Sequence, residues 1–427
     1  MELIAILEGR AMGTLSTDRF GHARFDYEES WRDSPDAIPM SLSLPLASTT
    51  HSWRTVEAVI WGLLPDNEQV LQRWGQRFQV SPRNAVALLA HVGEDCAGAV
   101  QFVKPENLNA VAEGHRDAVQ WVTDEDLAQR LRALRSDAGA SRRDGDAGQF
   151  SLPGAQPKIA LLHDEGRWGI PSGRIPTTHI LKPPTGVFDG YAQNEHFCLR
   201  LAAALGLRTC KSSVIRVGDE IAICVERYDR LKRDGTWYRV HQEDMCQALG
   251  VRPELKYQSD GGPSPAVIAG LLRDYSSAAE DDRLSFFFAL ALNWFIGGSD
   301  AHAKNYSLLL NPRQTTRLAP LYDISSALPY DSIDRRKLKM AMKIGSTYRW
   351  HDIRLKDWTD EARSIGLDDE DAREALEILS GQLPDLAVQV AHEAEREGMG
   401  HAILSPIVDD IAQTAARCRR MLGSATA

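Results

Sequence analysis

The sequence predicts an α+β protein of two lobes: a strand-rich lobe with an extra N-terminal subdomain, then a mainly helical lobe. Three observations predict it. Short alternating or apolar runs, punctuated by Gly, Pro and Asp, dominate the chain up to His241. From His241 onward the apolar residues recur mainly at helical spacing. The two regimes meet near residue 248, and no internal repeat is visible.

Taken in order, residues 1 to about 50 read as a small β-sheet. The period lengthens towards helical from Thr55 to Phe78 and again from Asn84 to His91, and AGAVQFV (Ala97 to Val103) returns to strand. These elements make a first subdomain, residues 1–105. The second, 106–248, opens with the helix DEDLAQRLRALR (Asp124 to Arg135), whose acids come first and arginines later, as the helix dipole favours. Ser136 to Gln149 is small and polar and reads as a mobile linker. Six short strands follow: KIALLHD, RWGIP, THILKP, SSVIRVG, EIAICVERY and TWYRVH. One helix interrupts them, Gln193 to Leu207. The remainder, 249–427, is the helical lobe, and its LSFFFALALNWFI segment (Leu284 to Ile296) reads as a buried helix.

Composition narrows the function. The 427-residue chain is 43% hydrophobic and 25% charged, which fits neither a disordered nor a fibrous protein. With 49 basic and 59 acidic residues its net charge is −10, which argues against sequence-wide, non-specific affinity for nucleic acid. The six cysteines are scattered without a CxxC pair, so neither a zinc site nor a disulfide framework is expected. The N-terminal MELIAILEGRAMG reads as a strand rather than a signal peptide. The Leu284–Ile296 run is too short to span a bilayer. A cytoplasmic protein with no membrane partner is the expectation.

The chemistry concentrates where that buried helix stops, in GGSDAHAKNYSLLL (Gly297 to Leu310). Asp300 and Asn305 form D-x-x-x-x-N, the spacing of protein-kinase catalytic loops, where the Asp takes the proton of the attacking hydroxyl and the Asn oxygen holds magnesium. Such a spacing alone is more often a turn cap and a backbone bond. A second acid changes the balance: Asp323, in PLYDISS (Pro320 to Ser326). Two strands turning at Asn311–Pro312 would return Asp323 to the side of Asp300 and Asn305. Magnesium suits one or two carboxylates with phosphate oxygens and water. Lys182, at the end of an apolar strand, is the candidate cation for nucleotide phosphates, and Glu195 on the next helix a candidate partner for it. FSLPGAQPKIALL (Phe150 to Leu162) lacks both GxGxxG and GxxxxGK[ST] but offers small residues through which backbone N–H groups approach phosphate. Glu226, Arg227 and Tyr228 fall where a hinge would meet adenine, and Arg227 with Asp229 reads as a weak surface ion pair.

The ordered set SLPGAQPK, ILKPP, VERYDR, HQEDMCQALG, GGSDAHAKN and PLYDIS resembles the HipA-type serine/threonine kinases, toxins of bacterial toxin–antitoxin pairs, over nearly the full length. RAMGTLSTDRFGHARFDYEESW and IPMSLSLPL are similar to the family's N-terminal module. The resemblance implies a two-lobed protein-kinase-like fold, ATP and Mg2+ as cofactors, and Asp300 as catalytic aspartate, with Asn305 and Asp323 holding the metal. It implies that Pro153, Gly154, Ala155, Gln156, Pro157 and Lys158 form the phosphate loop, that Lys182 contacts ATP phosphates, and that Glu226, Arg227 and Tyr228 meet the adenine. His302, Ala303, Lys304, Asn305, Tyr322 and Asp323 would line the nucleotide site. It further implies autophosphorylation of Ser151, which would expel the loop and switch the kinase off. A small DNA-binding, HipB-like antitoxin is the implied partner, with operator DNA reached only through that complex, and an aminoacyl-tRNA synthetase is the implied protein target. The chain departs from the pattern at Ala301, where many relatives have arginine, at Pro153, which stiffens the start of the phosphate loop, and at Pro157, where others carry an acid, which removes a backbone donor. A nucleotide-responsive binding partner and a small-molecule kinase are the competing readings.

Overall fold

Strand β1 (Glu2–Leu7) turns back on β2 (Arg10–Thr17) through Glu8 and Gly9, both at positive φ, the left-handed pair a tight hairpin requires. With β3 (Ala23–Tyr27) and β4 (Gln101–Val103) they form a sheet in the order β3-β2-β1-β4. Their alternating side chains meet the helices Trp53–Trp61, Glu68–Phe78 and Ala85–Val92 in a core that includes Leu3, Leu15, Phe25, Val59, Leu88 and Phe102. The expected Ala97–Val103 strand is shorter. The Gly98 N–H, at φ +82°, is drawn out of register to the Asp229 carboxylate at 2.7 Å.

The computed structural model describes residues 1–143, 145–186, 188–312 and 315–424. The chain divides into two compact units, one of Met1–Thr185, Ile215–Glu254 and Leu308–Thr316, the other of Gly186–Val214, Leu255–Ser307 and Arg317–Ala427.

The first unit also contains most of a second sheet. Its strands are β5 (Ala118–Val122), β6 (Ile159–Asp164), β7 (Arg167–Ser172), β8 (His179–Lys182), β9 (Ser212–Val217) and β10 (Glu220–Glu226), in the order β5-β7-β6-β8-β10-β9. The helix Asp124–Ser136 lays Leu127, Leu131 and Leu134 on it, in one core with Leu161 and Ala222. The expected mobile linker is a packed segment. Of residues 136–149, Asp144 lies outside the described set; Ser141 and Arg142 are buried, and Asp146 takes the Arg130 guanidinium at 2.8 Å. Gly148 lies so close to the Pro171 carbonyl that a β-carbon would collide with it. Two of its charges, Arg142 and Asp146, lie inside rather than in solvent.

A hairpin, β11 (Arg230–Arg233) and β12 (Thr236–Arg239), and then β13 (His241–Asp244) follow in the chain. On β13, Glu243 is 1% exposed. One of its oxygens accepts the Leu42 N–H at 2.9 Å; the other has no partner among the described residues. Burial, and then the neighbouring Asp244, push its carboxyl up to about 8 against the hydrogen bonds to Ser41 and Leu42. The folded state therefore keeps a proton that the unfolded chain gives up near its ordinary pKa. Stability falls as pH rises from that value to the folded pKa and then levels off. We expect Glu243→Gln, which mimics the neutral acid, to flatten this decline between pH 5 and 9. Parallel melting curves for the variant and the parent would contradict it.

The second unit is built on the helices Tyr191–Ala204, Pro265–Tyr275, Ala279–Ile296, Leu355–Ser364, Asp369–Arg396 and Leu404–Gly423. The C-terminal half of the chain also carries four short strands, β14 (Ser307–Leu310), β15 (Arg317–Leu318), β16 (Lys339–Ile344) and β17 (Thr347–Arg349). The helix Ala279–Ile296 is buried on all sides from Ala289 to its end, which explains a greasy run without period. Its first turn is acidic, and there Asp282 accepts Arg317 at 2.9 Å and the Leu318 N–H at 2.7 Å. Among the described residues no helix is long and apolar enough to cross a membrane.

Candidate functional site

In the second unit, the buried helix ends at Gly297, in the left-handed conformation at φ 64°. The Gly298 N–H closes on the Asn293 carbonyl at 2.6 Å, and the chain turns out into the loop. A β-carbon at Gly297 would strike Leu328, so glycine is required there both for its φ and for space. Asp300 emerges exposed. Its backbone carbonyl accepts the His302 N–H at 2.8 Å, and the Asn305 N–H bonds the His302 carbonyl at 2.9 Å. His302, Ala303, Lys304 and Asn305 are buried behind it. Burial, followed by Lys256, lowers the His302 imidazole to about 4, so it is neutral at physiological pH.

The chain brings Asp323 back beside Asn305. The Ala319 N–H donates to the Ser307 carbonyl at 2.8 Å, and the Tyr322 hydroxyl donates to the Lys304 carbonyl at 2.6 Å. Asn305 Nδ2 then donates to the Asp323 backbone carbonyl at 3.3 Å. Asp323 itself sits at φ 56°, a left-handed conformation that costs an aspartate energy and persists because its flanks are pinned. One pin is Asn194, fully buried on the helix Tyr191–Ala204, which brackets Ser326 with 2.8 Å bonds to its N–H and its carbonyl. Glu195, beside it on the same helix, is also buried. Asn305 and Asp323 supply oxygen donors only, an amide and a carboxylate. Among the described residues no cluster of three His, Cys, Asp or Glu exists that could hold a metal unaided. A pair of this kind suits Mg2+, which completes its shell with phosphate oxygens and water.

In the first unit, Ser151 is 0% exposed, its N–H on the Asp95 carbonyl at 2.9 Å and its Oγ donating to the Leu63 carbonyl at 2.7 Å. Pro153 to Lys158 follow as a loop. Gly154 is at φ 104°, its carbonyl accepting the Asp66 N–H at 3.2 Å, and the Ala155 carbonyl accepts Asn67 Nδ2 at 3.3 Å. Lys158 Nζ curls back to the Pro153 carbonyl at 2.5 Å, so its charge lies across the loop. Gln156 Oε1 is buried without a partner among the described residues, and Pro157 offers no N–H. Lys182, on β8, is 6% exposed and sits opposite Ile223 of β10. It is not a solvent-facing strand lysine.

The segment after β10 corrects the sequence reading. Glu226 ends the strand opposite His179, and the Tyr228 hydroxyl donates to Gln242 Oε1 at 2.6 Å. Arg227 and Asp229 are not a surface pair; they are 3% and 4% exposed. The Arg227 guanidinium holds Asp229 with bonds of 3.0 and 2.8 Å, Thr177 Oγ1 at 2.9 Å and the Cys96 carbonyl at 2.8 Å. Arg230 reaches Asp95 at 2.8 Å. Burial alone would raise the Asp95 carboxyl, but Arg230, Arg227 and Arg239 hold it below the usual carboxylate range. The Arg227 side chain is thus committed to structure, and its backbone N–H donates to the Thr178 carbonyl at 2.9 Å. The sequence reading also passed over Tyr257, whose hydroxyl donates to Asp300 Oδ1 at 2.5 Å from 43 positions away.

Comparison with known proteins places the whole chain in one setting. The family model of the HipA N-terminal domain matches residues 3–103, and that of the HipA-like C-terminal domain matches residues 150–387. Y4mE of Sinorhizobium fredii, which carries the name of a kinase, is 38% identical over 84% of this chain and 84% of its own. The serine/threonine-protein kinase toxin HipA of Shewanella oneidensis is 27% identical over 93% of this chain and 90% of its own. The solved Shewanella oneidensis HipA, in complex with HipB and operator DNA, superimposes with a TM-score of 0.81 at 24% identity, covering 99% of this chain and 97% of that one. The fold is therefore the α+β, two-lobed, kinase-like fold of that structure.

Proposed function

The chain belongs to the family of HipA-type serine/threonine kinases, and from that premise we propose that it transfers the γ-phosphoryl group of ATP to a hydroxyl of a protein. The observation that supports the reading is the meeting of Asn305 and Asp323, with Asp323 in a left-handed backbone beside the Asn305 amide, on the loop that Asp300 opens. Asp300 is the base. Asn305 and Asp323 hold Mg2+, which when bound supplies charge neutralisation at the phosphates. Lys182, Lys158 and the backbone of Pro153 to Pro157 take the phosphates, and the Glu226–Tyr228 backbone takes the adenine. Little covalent work falls to the protein; positioning and charge supply the acceleration.

Two further parts of the reading follow from the family. The kinase acts as the toxin of a toxin–antitoxin pair, held by a small HipB-like antitoxin and meeting operator DNA through it; the solved relative is a complex with HipB and operator DNA. Its target is an aminoacyl-tRNA synthetase, and Ser151 is its own phosphoacceptor. The burial of Ser151 against the Leu63 carbonyl supports a switch: the segment must leave its seat to be modified, and a dianion cannot return to a buried seat facing a carbonyl oxygen.

Incubation with labelled ATP and a cell extract tests the reading. We expect label in a protein band of the extract and in a Ser151 phosphopeptide of the kinase. Label confined to a small soluble product would assign a small-molecule kinase instead, and no transfer at all would overturn the enzyme.

A further inference from the structure

Ala301, next to Asp300, has no polar side chain with which to anchor it. The anchor comes from another part of the same unit. The Tyr257 hydroxyl donates to Asp300 Oδ1 at 2.5 Å, and its ring packs nearly perpendicular to that of His302, with centroids 5.1 Å apart and planes at 84°. One residue earlier, the Lys256 carbonyl accepts the Ala303 N–H at 3.3 Å, and the Lys256 ammonium lies 5.6 Å from the centre of the Tyr257 ring. Three contacts thus clasp the loop at Asp300, His302 and Ala303.

The clasp is itself held. The Asp260 and Gly262 N–H groups both close on the Tyr257 carbonyl at 3.0 Å, through Gly261 at φ 94°. A β-carbon on Gly262 would collide with the Leu255 carbonyl, so the turn tolerates nothing larger. Next to Tyr257, Gln258 Oε1 accepts the Lys343 N–H of β16 at 2.7 Å. The phenol is therefore presented from a braced turn, as a group that fixes a reacting carboxylate must be.

We infer that Tyr257 is the positioning residue of the catalytic aspartate: by occupying Oδ1 it fixes the carboxylate's rotation and reserves Oδ2 for the substrate hydroxyl. This rests on the reading of Asp300 as the base. In the transfer, the substrate O–H bond breaks and its proton passes to Asp300 Oδ2. The freed oxygen bonds the γ-phosphorus, and the bridging bond to the β-phosphate breaks with its electron pair leaving on ADP. A carboxylate free to rotate would spend much of its time with neither oxygen aligned for the first of these events.

The test is Tyr257→Phe, which keeps the ring against His302 and removes only the hydroxyl, measured beside Asp300→Asn and the double variant. A hydrogen bond to a charged group is worth enough that kcat should fall by about 10- to 100-fold. The KM for ATP and the melting temperature should stay at the parent values. Because the phenol acts through Asp300, the double variant should be no slower than Asp300→Asn alone. A kcat within about twofold of the parent overturns the inference, as does a loss matched by a weaker ATP KM or a lower melting temperature, or a double variant in which the two losses multiply. If Asp300→Asn retains full turnover, the reading of the base fails instead, and the two failures are told apart.

Discussion

Replacing Asp300 with Asn lowers phosphoryl transfer by about 10²- to 10⁴-fold, the range a positioned general base contributes, while ATP binding stays near the parent value. The substitution keeps the shape of the side chain, and its amide oxygen still accepts the Tyr257 hydroxyl, so the loop retains its clasp. What it removes is the capacity to take a proton. The groups assigned to the nucleotide lie elsewhere in the chain, at Asn305, Asp323, Lys182 and the Pro153–Lys158 loop. The measurement is label transfer to protein alongside calorimetric titration with ATP. Undiminished turnover removes Asp300 from the role of base.

The second large effect concerns stability. Arg227→Ala destabilises the protein by about 3–5 kcal/mol, the cost of removing one partner from a buried ion pair and leaving the other uncompensated. Asp229 then keeps Arg230 and the Gly98 N–H but loses both bonds to Arg227, and Thr177 Oγ1 and the Cys96 carbonyl lose a donor. Arg227→Lys retains the charge without the planar fork and falls between the two. Chemical denaturation measures both. A loss below about 1 kcal/mol for the alanine variant would return the pair to the status of a surface ion pair, which it held on sequence alone.

That misreading marks a limit of sequence. Arg227 and Asp229 are two apart and charged, and nothing nearby in the chain announces burial. Their partners Asp95, Cys96 and Thr177 are at least 50 positions away. The segment before Phe150 failed for a similar reason: Asp146 and Arg142 look like solvated charge until Arg130 is brought against Asp146 and the Phe150 ring against Arg142. Tyr257 was missed because its one informative feature is the acid 43 positions on. What was legible was local or periodic. Five strands of the second sheet, β6 to β10, showed as apolar runs between turn residues, whereas β5 was not read and TWYRVH falls on the β11–β12 hairpin. The candidate catalytic loop showed because a buried helix stopped at two glycines and an acid and an amide followed at short spacing. Asp323 was reached only because two apolar runs joined by a turn at Asn311–Pro312 read as a hairpin.

The central claim is that Asn305 and Asp323 share one divalent cation at the phosphates that Asp300 serves. The most direct measurement is anomalous diffraction from crystals grown with Mn2+ and a non-hydrolysable ATP analogue. The account predicts one manganese peak within bonding distance of Asn305 Oδ1 and an Asp323 carboxylate oxygen, with phosphate oxygens completing its shell. Well-ordered nucleotide with manganese bound by other side chains, and neither Asn305 nor Asp323 among its ligands, would contradict it.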